Sequence, residues 1–196
     1  MPQSVIRKTH ALTDGDAIVV TDVGQHQMWT AQHYGFRKAN RFLTSGGLGT
    51  MGYGLPAGVG AQIAMPNERV VVFTGDASIQ MCIQELATLY QYKLPVVIII
   101  LNNAYMGMVR QWQEMFYESR YSHSYFDALP DFVKLAEAYG GVGMRVDQVS
   151  ELDAILQAAF EVTGESFVLV DVAISREENV YPMVPAGAAL NEMVLS

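Results

Sequence analysis

Val70-Val71-Val72-Phe73, closed by Gly75-Asp76-Ala77, and Val96-Val97-Ile98-Ile99-Ile100-Leu101, closed by Asn102-Asn103, decide the fold of this chain. Each is an unbroken, largely β-branched apolar run of strand length that stops at polar turn formers. One helix-length segment lies between them, the spacing of a parallel β-α-β unit with a right-handed crossover. Such a unit brings a carboxylate and a carboxamide to the same end of two strands, where open α/β sheets bind ligands. Oxygen donors there suit a hard divalent cation such as Mg2+, and a helix beginning near Ser78 would turn free N–H groups toward an anion. The two strand ends therefore read as a site for a metal-bridged diphosphate.

The rest of the chain is consistent with one compact domain over residues 1–196. With 196 residues, 51% of them hydrophobic, it can bury roughly 70% of its unfolded surface and needs no cross-link for bulk stability. The single cysteine, Cys82, has no internal partner. Together with the lack of a signal peptide or of an apolar run near the ~20 residues of a membrane span, this predicts a reducing interior compartment: cytoplasmic in a bacterium, or an organelle after removal of a transit peptide. A net charge of −8 argues against nucleic-acid or anionic-membrane partners, which need basic patches. Phosphate binding must then come from metal and backbone dipoles.

Helices and strands alternate without repeats or low-complexity segments. Helices are expected at Ser4–Leu12, His26–Tyr34, Met51–Ala64, Ile79–Tyr92, Pro130–Tyr139 and Ser150–Thr163, and strands at Ala17–Thr21, Val70–Phe73, Val96–Leu101 and Phe167–Val172. Gly52, Gly54, Gly58 and Gly60 each cost a helix roughly 0.5–1 kcal/mol relative to alanine, so close packing must offset them. Ser150-Glu151-Leu152-Asp153 resembles a capping box with Asp in place of Glu. The alternation predicts an α/β fold, a doubly wound, mostly parallel sheet of about six strands with helices on both faces.

One rival motif is present. Gly47-Leu48-Gly49-Thr50-Met51-Gly52 satisfies G-x-G-x-x-G, and Asp76 follows 24 residues after the last glycine, close to a dinucleotide-binding fingerprint. That fingerprint needs a strong apolar strand before its first glycine. Ala39-Asn40-Arg41-Phe42-Leu43-Thr44-Ser45 is short and polar, and the asparagine pair would be left without a role.

Gly75-Asp76-Ala77, a spacer of 24 residues from Ser78 to Leu101, and Asn102-Asn103 resemble the signature of the thiamine diphosphate (ThDP) enzymes. Four flanking stretches narrow the resemblance to the acetolactate synthase large subunit family: Gly24-Gln25-His26-Gln27-Met28-Trp29, Ser45-Gly46-Gly47-Leu48-Gly49-Thr50-Met51-Gly52-Tyr53-Gly54, Gln84-Glu85-Leu86-Ala87-Thr88 and Gly107-Met108-Val109-Arg110-Gln111-Trp112. The likeness runs from about Pro2 to the C-terminus. It covers only that family's last domain, the C-terminal ThDP- and Mg-binding one, with residues 177–196 as a C-terminal arm.

The resemblance implies a role for each matching residue. Asp76, Asn103 and the Tyr105 carbonyl correspond to the Mg2+ ligands, and the alternative for the first two is strand-end turn formation. Gly75, Ala77 and Ser78 would wrap the diphosphate, with Val23, Gly24, Gln25 and His26 beside it; Ser78 could equally be an N-cap. His10, His33 and His123 lack any such context. Gly49 would accept from the cofactor's 4′-amino group through its carbonyl, and Met51 would wedge between the two rings, the alternative being core filling. Gly107, Met108, Val109 and Trp112 would form the wall between cofactor and substrate, with Met108 and Trp112 on the substrate channel. A Met/Trp pair at i, i+4 is equally what one buried helix face shows. The aromatic stretch from Glu114 to Asp131 is a lid or a subunit contact, and Val180-Tyr181-Pro182-Met183-Val184-Pro185 either folds over the site or frays.

Activity and partners are likewise implied rather than derived. The family condenses two pyruvates, or pyruvate and 2-ketobutyrate, with loss of CO2, in branched-chain amino acid biosynthesis. No catalytic residue is expected in this chain, because the activating glutamate belongs to the family's pyrimidine-binding domain. The central domain, which carries FAD in most relatives, is also missing, so the expectation is a truncated protein or a split enzyme, catalytically silent alone. A second subunit would supply the pyrimidine domain, within a homodimer or homotetramer and with a regulatory small subunit. Pyruvate oxidase, a 2-keto acid decarboxylase and a non-catalytic Mg-diphosphate module are the competing readings.

Overall fold

The computed structural model describes residues 2–162 and 166–195. Six strands form one all-parallel sheet: β1 Ile18–Thr21, β2 Phe42–Leu43, β3 Val70–Gly75, β4 Val97–Asn102, β5 Val142–Val146 and β6 Val168–Ala173, in the order β2-β1-β3-β4-β6-β5. The helices are α1 Pro2–Thr13, α2 Gln25–His33, α3 Gly54–Ala64, α4 Asp76–Ile79, α5 Glu85–Gln91, α6 Gly107–Phe116, α7 Phe132–Ala138 and α8 Leu152–Glu161.

The strands are apolar throughout because both faces are covered. Along β3, Val71 and Phe73 enter one core with Val19, Ile99 and Val170, closed by Ile6, Trp29 and Leu156 from α1, α2 and α8. Val70 and Val72 enter the opposite core with Ile98, Ile100 and Leu169, closed by Leu55, Leu86 and Phe132 from α3, α5 and α7. This is the doubly wound arrangement expected from the alternation. The chain leaves β1 for β2 on one side and returns to β3 on the other. The reversal opens a crevice between the C-terminal ends of β1 and β3, where such sheets take their ligands.

Several local expectations need correction. The helix expected over Ile79–Tyr92 is two, α4 and α5, joined by turns in which Met81, Cys82 and Glu85 donate to carbonyls three residues back. The break lets the 81–82 turn approach Gly52, where a Cβ would meet Met81 Cβ and Cys82 Sγ at 3.1 Å. The helix expected from Met51 begins at Gly54, because Met51 and Gly52 form a turn with Gly52 at φ +87°. Close packing accounts for Gly54 and Gly58, whose Cβ atoms would lie 2.8 Å from Asp22 N and 2.5 Å from Val72 Cγ2, but not for Gly60, which has open space around it.

The capping interaction before α8 comes from Glu151, which accepts from the Gln148 N–H at 3.1 Å ahead of a 3-10 turn at Val149–Glu151. The expected end of that helix, Thr163, lies outside the described residues. Strand β5 was not expected: its glycines weaken the strand signal, yet Gly141 and Gly143 sit where a Cβ would meet Phe167 at 2.3 Å and the Val133 carbonyl at 2.5 Å. Among the described residues, no helix is long and apolar enough to cross a membrane.

Candidate active site at the β1–β3 crevice

Loops after β1, β3 and β4 meet in one cleft. Its wall includes Val23, Gly24, Gln25 and His26 from the first, Gly75, Asp76, Ala77 and Ser78 from the second, and Asn103, Tyr105, Gly107, Met108 and Val109 from the third. Met51 reaches the same cleft from the turn before α3. Gly49 is outside the wall, beside Val23, at φ +63°. Trp112 lies one groove further out, where it and Met108 share a surface with Phe116 and residues 183–186 of the C-terminal arm. Residues 47–52 start no helix and follow only the two-residue β2, so the G-x-G-x-x-G match lacks the strand–turn–helix setting of a dinucleotide fold.

Asp76 carries the cleft's most unusual charge. It is 1% exposed; Oδ1 accepts from the Ala77 N–H at 2.9 Å, while Oδ2 is buried with no partner. Burial, with the Asp171 carboxylate adding repulsion, pushes its pKa up to about 7 against a weaker pull from main-chain hydrogen bonds. A buried, half-orphaned carboxylate is costly unless a cation meets it. Asn103, also buried, donates from Nδ2 to Gln25 Oε1 at 3.3 Å and accepts the Tyr105 N–H on Oδ1 at 3.1 Å. Among the described residues there is no group of three or more His, Cys, Asp or Glu able to hold a metal, so a cation here would be held by one carboxylate, a carboxamide and a carbonyl. Those oxygens suit Mg2+.

His26 stands across the cleft. Its ring is buried, which lowers its pKa to about 3 despite a hydrogen bond that the ring donates to the Asp22 main-chain carbonyl, and Nε2 has no partner. A Cβ at Gly24 or Gly75 would lie 2.7 or 3.0 Å from that ring, so both glycines make room for it. Gly107 similarly clears Gln25 Oε1 and Asn103 Nδ2, which a Cβ would approach to 2.1 and 2.8 Å. A neutral imidazole and a free carboxylate oxygen on facing loops fit a metal-bridged diphosphate. The short α4 starts at Asp76, two residues before Ser78, and faces the cleft with Asp76, Ala77 and Ser78; its N-cap is Gly75, and the Ser78 hydroxyl donates to the Val23 carbonyl at 3.1 Å, tying the segment after β3 to that after β1.

Sequence reading missed several contributors. Asp22, fully buried, accepts from the N–H groups of Gly52 at 2.8 Å and Val23 at 2.9 Å, and so fixes the turn that carries Met51; burial raises its pKa. Trp29, Leu101 and Met106 complete the cleft wall. Gln111 accepts from Gln25 Nε2 at 2.9 Å and from the Val180 N–H at 2.8 Å, so a chain of hydrogen bonds runs from Asn103 to the C-terminal arm. The arm does not fray: Val180 is fully buried, and Met183 and Val194 exchange main-chain bonds at 2.9 and 2.7 Å. The aromatic stretch is tied to the cleft by a bridge between Tyr105 and Tyr125.

Residues 22–172 match the family described as thiamine pyrophosphate enzyme, C-terminal TPP binding domain, a span that includes every loop of the cleft. The chain belongs to that family. It is 54% identical over 196 residues to the acetolactate synthase isozyme 3 large subunit of Escherichia coli (strain K12), covering 100% of this chain and 34% of that protein. It is 51% identical over 195 residues to the acetolactate synthase large subunit of Haemophilus influenzae, covering 100% and 34%. The mitochondrial acetolactate synthase catalytic subunit of Saccharomyces cerevisiae is 50% identical over 196 residues, covering 98% and 28%. The chain thus spans about a third of the length of the curated relatives it matches. It is a thiamine pyrophosphate-binding domain, similar throughout to the corresponding part of acetolactate synthases.

Proposed function

We propose that this domain holds the diphosphate end of ThDP through Mg2+, within an acetolactate synthase that condenses two pyruvates, or pyruvate and 2-ketobutyrate, with release of CO2. The observation that carries the reading is the pair of buried, unpartnered atoms, Asp76 Oδ2 and His26 Nε2, in one cleft at the sheet's switch point. Asp76, Asn103 and the Tyr105 carbonyl hold the metal. His26 stands beside the diphosphate as a neutral ring, while Gly75, Ala77 and Ser78 line it. Gly24 and Gly107 bind the cofactor from the same wall and make room there for the His26 ring and for Gln25 and Asn103; Val23, Gln25, Met108 and Val109 bound the rest of the cofactor, and Gly49 contacts it from beside Val23. The half-buried Met51 supports the ring-bearing part. Met108 and Trp112 border the substrate channel.

When bound, the cofactor supplies an electron sink for carbon–carbon bond cleavage and formation. The chain's own residues orient it, exclude water and keep the imidazole of His26 neutral. The activating glutamate that the resemblance implies belongs to a pyrimidine-binding domain, supplied by another part of the protein or by a second subunit, and this chain alone is silent. FAD belongs to the central domain, a small subunit regulates, the assembly is a homodimer or homotetramer, and the setting is cytoplasmic.

Product analysis of the full-length protein with pyruvate tests the reading. Acetolactate supports it; acetyl phosphate or acetaldehyde assigns the domain to a pyruvate oxidase or a 2-keto acid decarboxylase; no product with intact cofactor binding leaves a non-catalytic module.

A further inference from the structure

The sequence signature holds two asparagines, and the metal set uses only Asn103. We propose that Asn102, anchored through Asp171 and Arg145, is the positioning residue that presents Asn103 and the Tyr105 carbonyl to the metal. The inference rests on the metal reading above.

Between the two ligands, Ala104 adopts φ +57°, a left-handed conformation disfavoured for any residue with a Cβ. This reversal ends β4 and turns residues 103–105 toward the cleft. Something must hold it. Asn102 Oδ1 accepts the Ala104 N–H at 3.2 Å, a two-residue side-chain closure of the kind by which Asn supports such turns. Its Nδ2 donates to Asp171 Oδ1 at 3.0 Å. A carboxylate only accepts and an amide N–H only donates, so these two partners fix which way the carboxamide faces.

Asp171 is itself anomalous. It is 1% exposed in β6, flanked along the strand by Val170 and Val172 and paired across it with Ile100. An aliphatic side chain would pack there, and a buried ion pair is weak evidence of added stability. Its second oxygen accepts Arg145 Nη1 at 2.9 Å from neighbouring β5, and Arg145 is steadied by Asp147 at 2.8 Å. The row Arg145–Asp171–Asn102 thus crosses three adjacent strands and ends on the Ala104 N–H. From the other side, Phe126 donates to the Ala104 carbonyl at 2.9 Å and Met106 to that of Ser124 at 2.8 Å. The metal loop is clamped between the two.

The test uses the 196-residue chain with Mn2+ as a paramagnetic stand-in for Mg2+, in the presence of ThDP, and Asp76→Ala as the marker of the site itself. Asn102→Ala is expected to weaken Mn2+ binding about 10–100-fold, the usual effect of removing a partner that orients a ligand. In the metal-free chain it also lowers protection of the Ala104 amide from hydrogen exchange, the weaker pull of the Asp76 carboxylate on that N–H remaining. Glycine adopts positive φ without help, so adding Ala104→Gly to Asn102→Ala should recover about fivefold or more of the affinity.

If Asp76→Ala abolishes binding while Asn102→Ala binds within twofold of the natural chain, or the double variant recovers nothing, the positioning role is wrong and the metal site stands. If Asp76→Ala leaves binding intact, the metal reading fails and this inference fails with it. Should Asn102→Ala not fold, Asp171→Asn decides: it keeps an acceptor but loses the charge that Arg145 holds, and at least a threefold loss of Mn2+ affinity supports the role whereas none overturns it.

Discussion

Replacing Asp76 with asparagine should make the metal-free domain more stable at neutral pH. The folded carboxyl has a pKa of about 7 against 3.8 for the ordinary group, raised by burial first and by Asp171 second. A folded pKa above the unfolded one means that the contribution of this group is fully present below about pH 4 and is lost as pH rises through 7. At 1.36 kcal/mol per unit, the natural chain gives up about 4 kcal/mol over that interval. Asp76→Asn keeps the volume and the acceptor for the Ala77 N–H but has no charge to bury. Its new amide group lacks a partner, which costs about 1–3 kcal/mol at every pH.

The stability difference, variant minus natural chain, should therefore climb by about 4 kcal/mol between pH 4 and pH 8. Urea unfolding in EDTA at four pH values measures it. Asp22, also raised by burial, slopes the same way in the two proteins and cancels in the difference, whereas the repulsion between Asp76 and Asp171 is lost in the variant and forms part of the effect measured. A difference that stays flat from pH 4 to 8 would refute the claim that Asp76 is held as an uncompensated buried carboxylate. Adding Mg2+ and ThDP should reverse the ranking, because the natural chain alone regains a counter-charge.

His26 gives the opposite limb: its folded pKa of about 3 lies below the ordinary 6.5, so its contribution is present above about 6.5 and is lost as pH falls, by up to about 4–5 kcal/mol. His26→Gln should flatten that acid limb in urea titrations, and an unchanged limb would count against a buried neutral ring. Gly58→Ala would press a Cβ to 2.5 Å from Val72 and should lower stability by about 1–3 kcal/mol, while Gly60→Ala, with open space, should raise it by about 0.5–1 kcal/mol; thermal melts of the pair check both signs. Met51 is only half-buried, so Met51→Ala should cost under about 2 kcal/mol of stability, less than a core methionine. In the full-length protein it should depress turnover far more than that loss explains, and a destabilised but fully active variant would return Met51 to the role of packing.

What could be read from sequence was what short-range pattern encodes. The runs Val70–Phe73 and Val96–Leu101 admit few structures but buried parallel strands, and their polar ends located the cleft. Strand β5 escaped because Gly140, Gly141 and Gly143 argue against a strand, and only the overlying Phe167 and Val133 explain why no side chain fits. The break between α4 and α5 escaped because Leu86 and Leu89 carry on a helical period that says nothing of the turn against Gly52. Asp22, Gln111 and Asp171 escaped for a further reason. Their partners lie 30, 69 and 26 or more residues away, and a buried polar residue in a strand or helix shows its purpose only once those partners are beside it.

The central claim is that this domain grips ThDP by its diphosphate through Mg2+. Calorimetric titration of ThDP into the 196-residue chain, once with Mg2+ and once with EDTA, tests it most directly. The account predicts saturable binding with Mg2+ and its loss in EDTA. Equal affinity in the two titrations, or no binding with Mg2+ present, would contradict it.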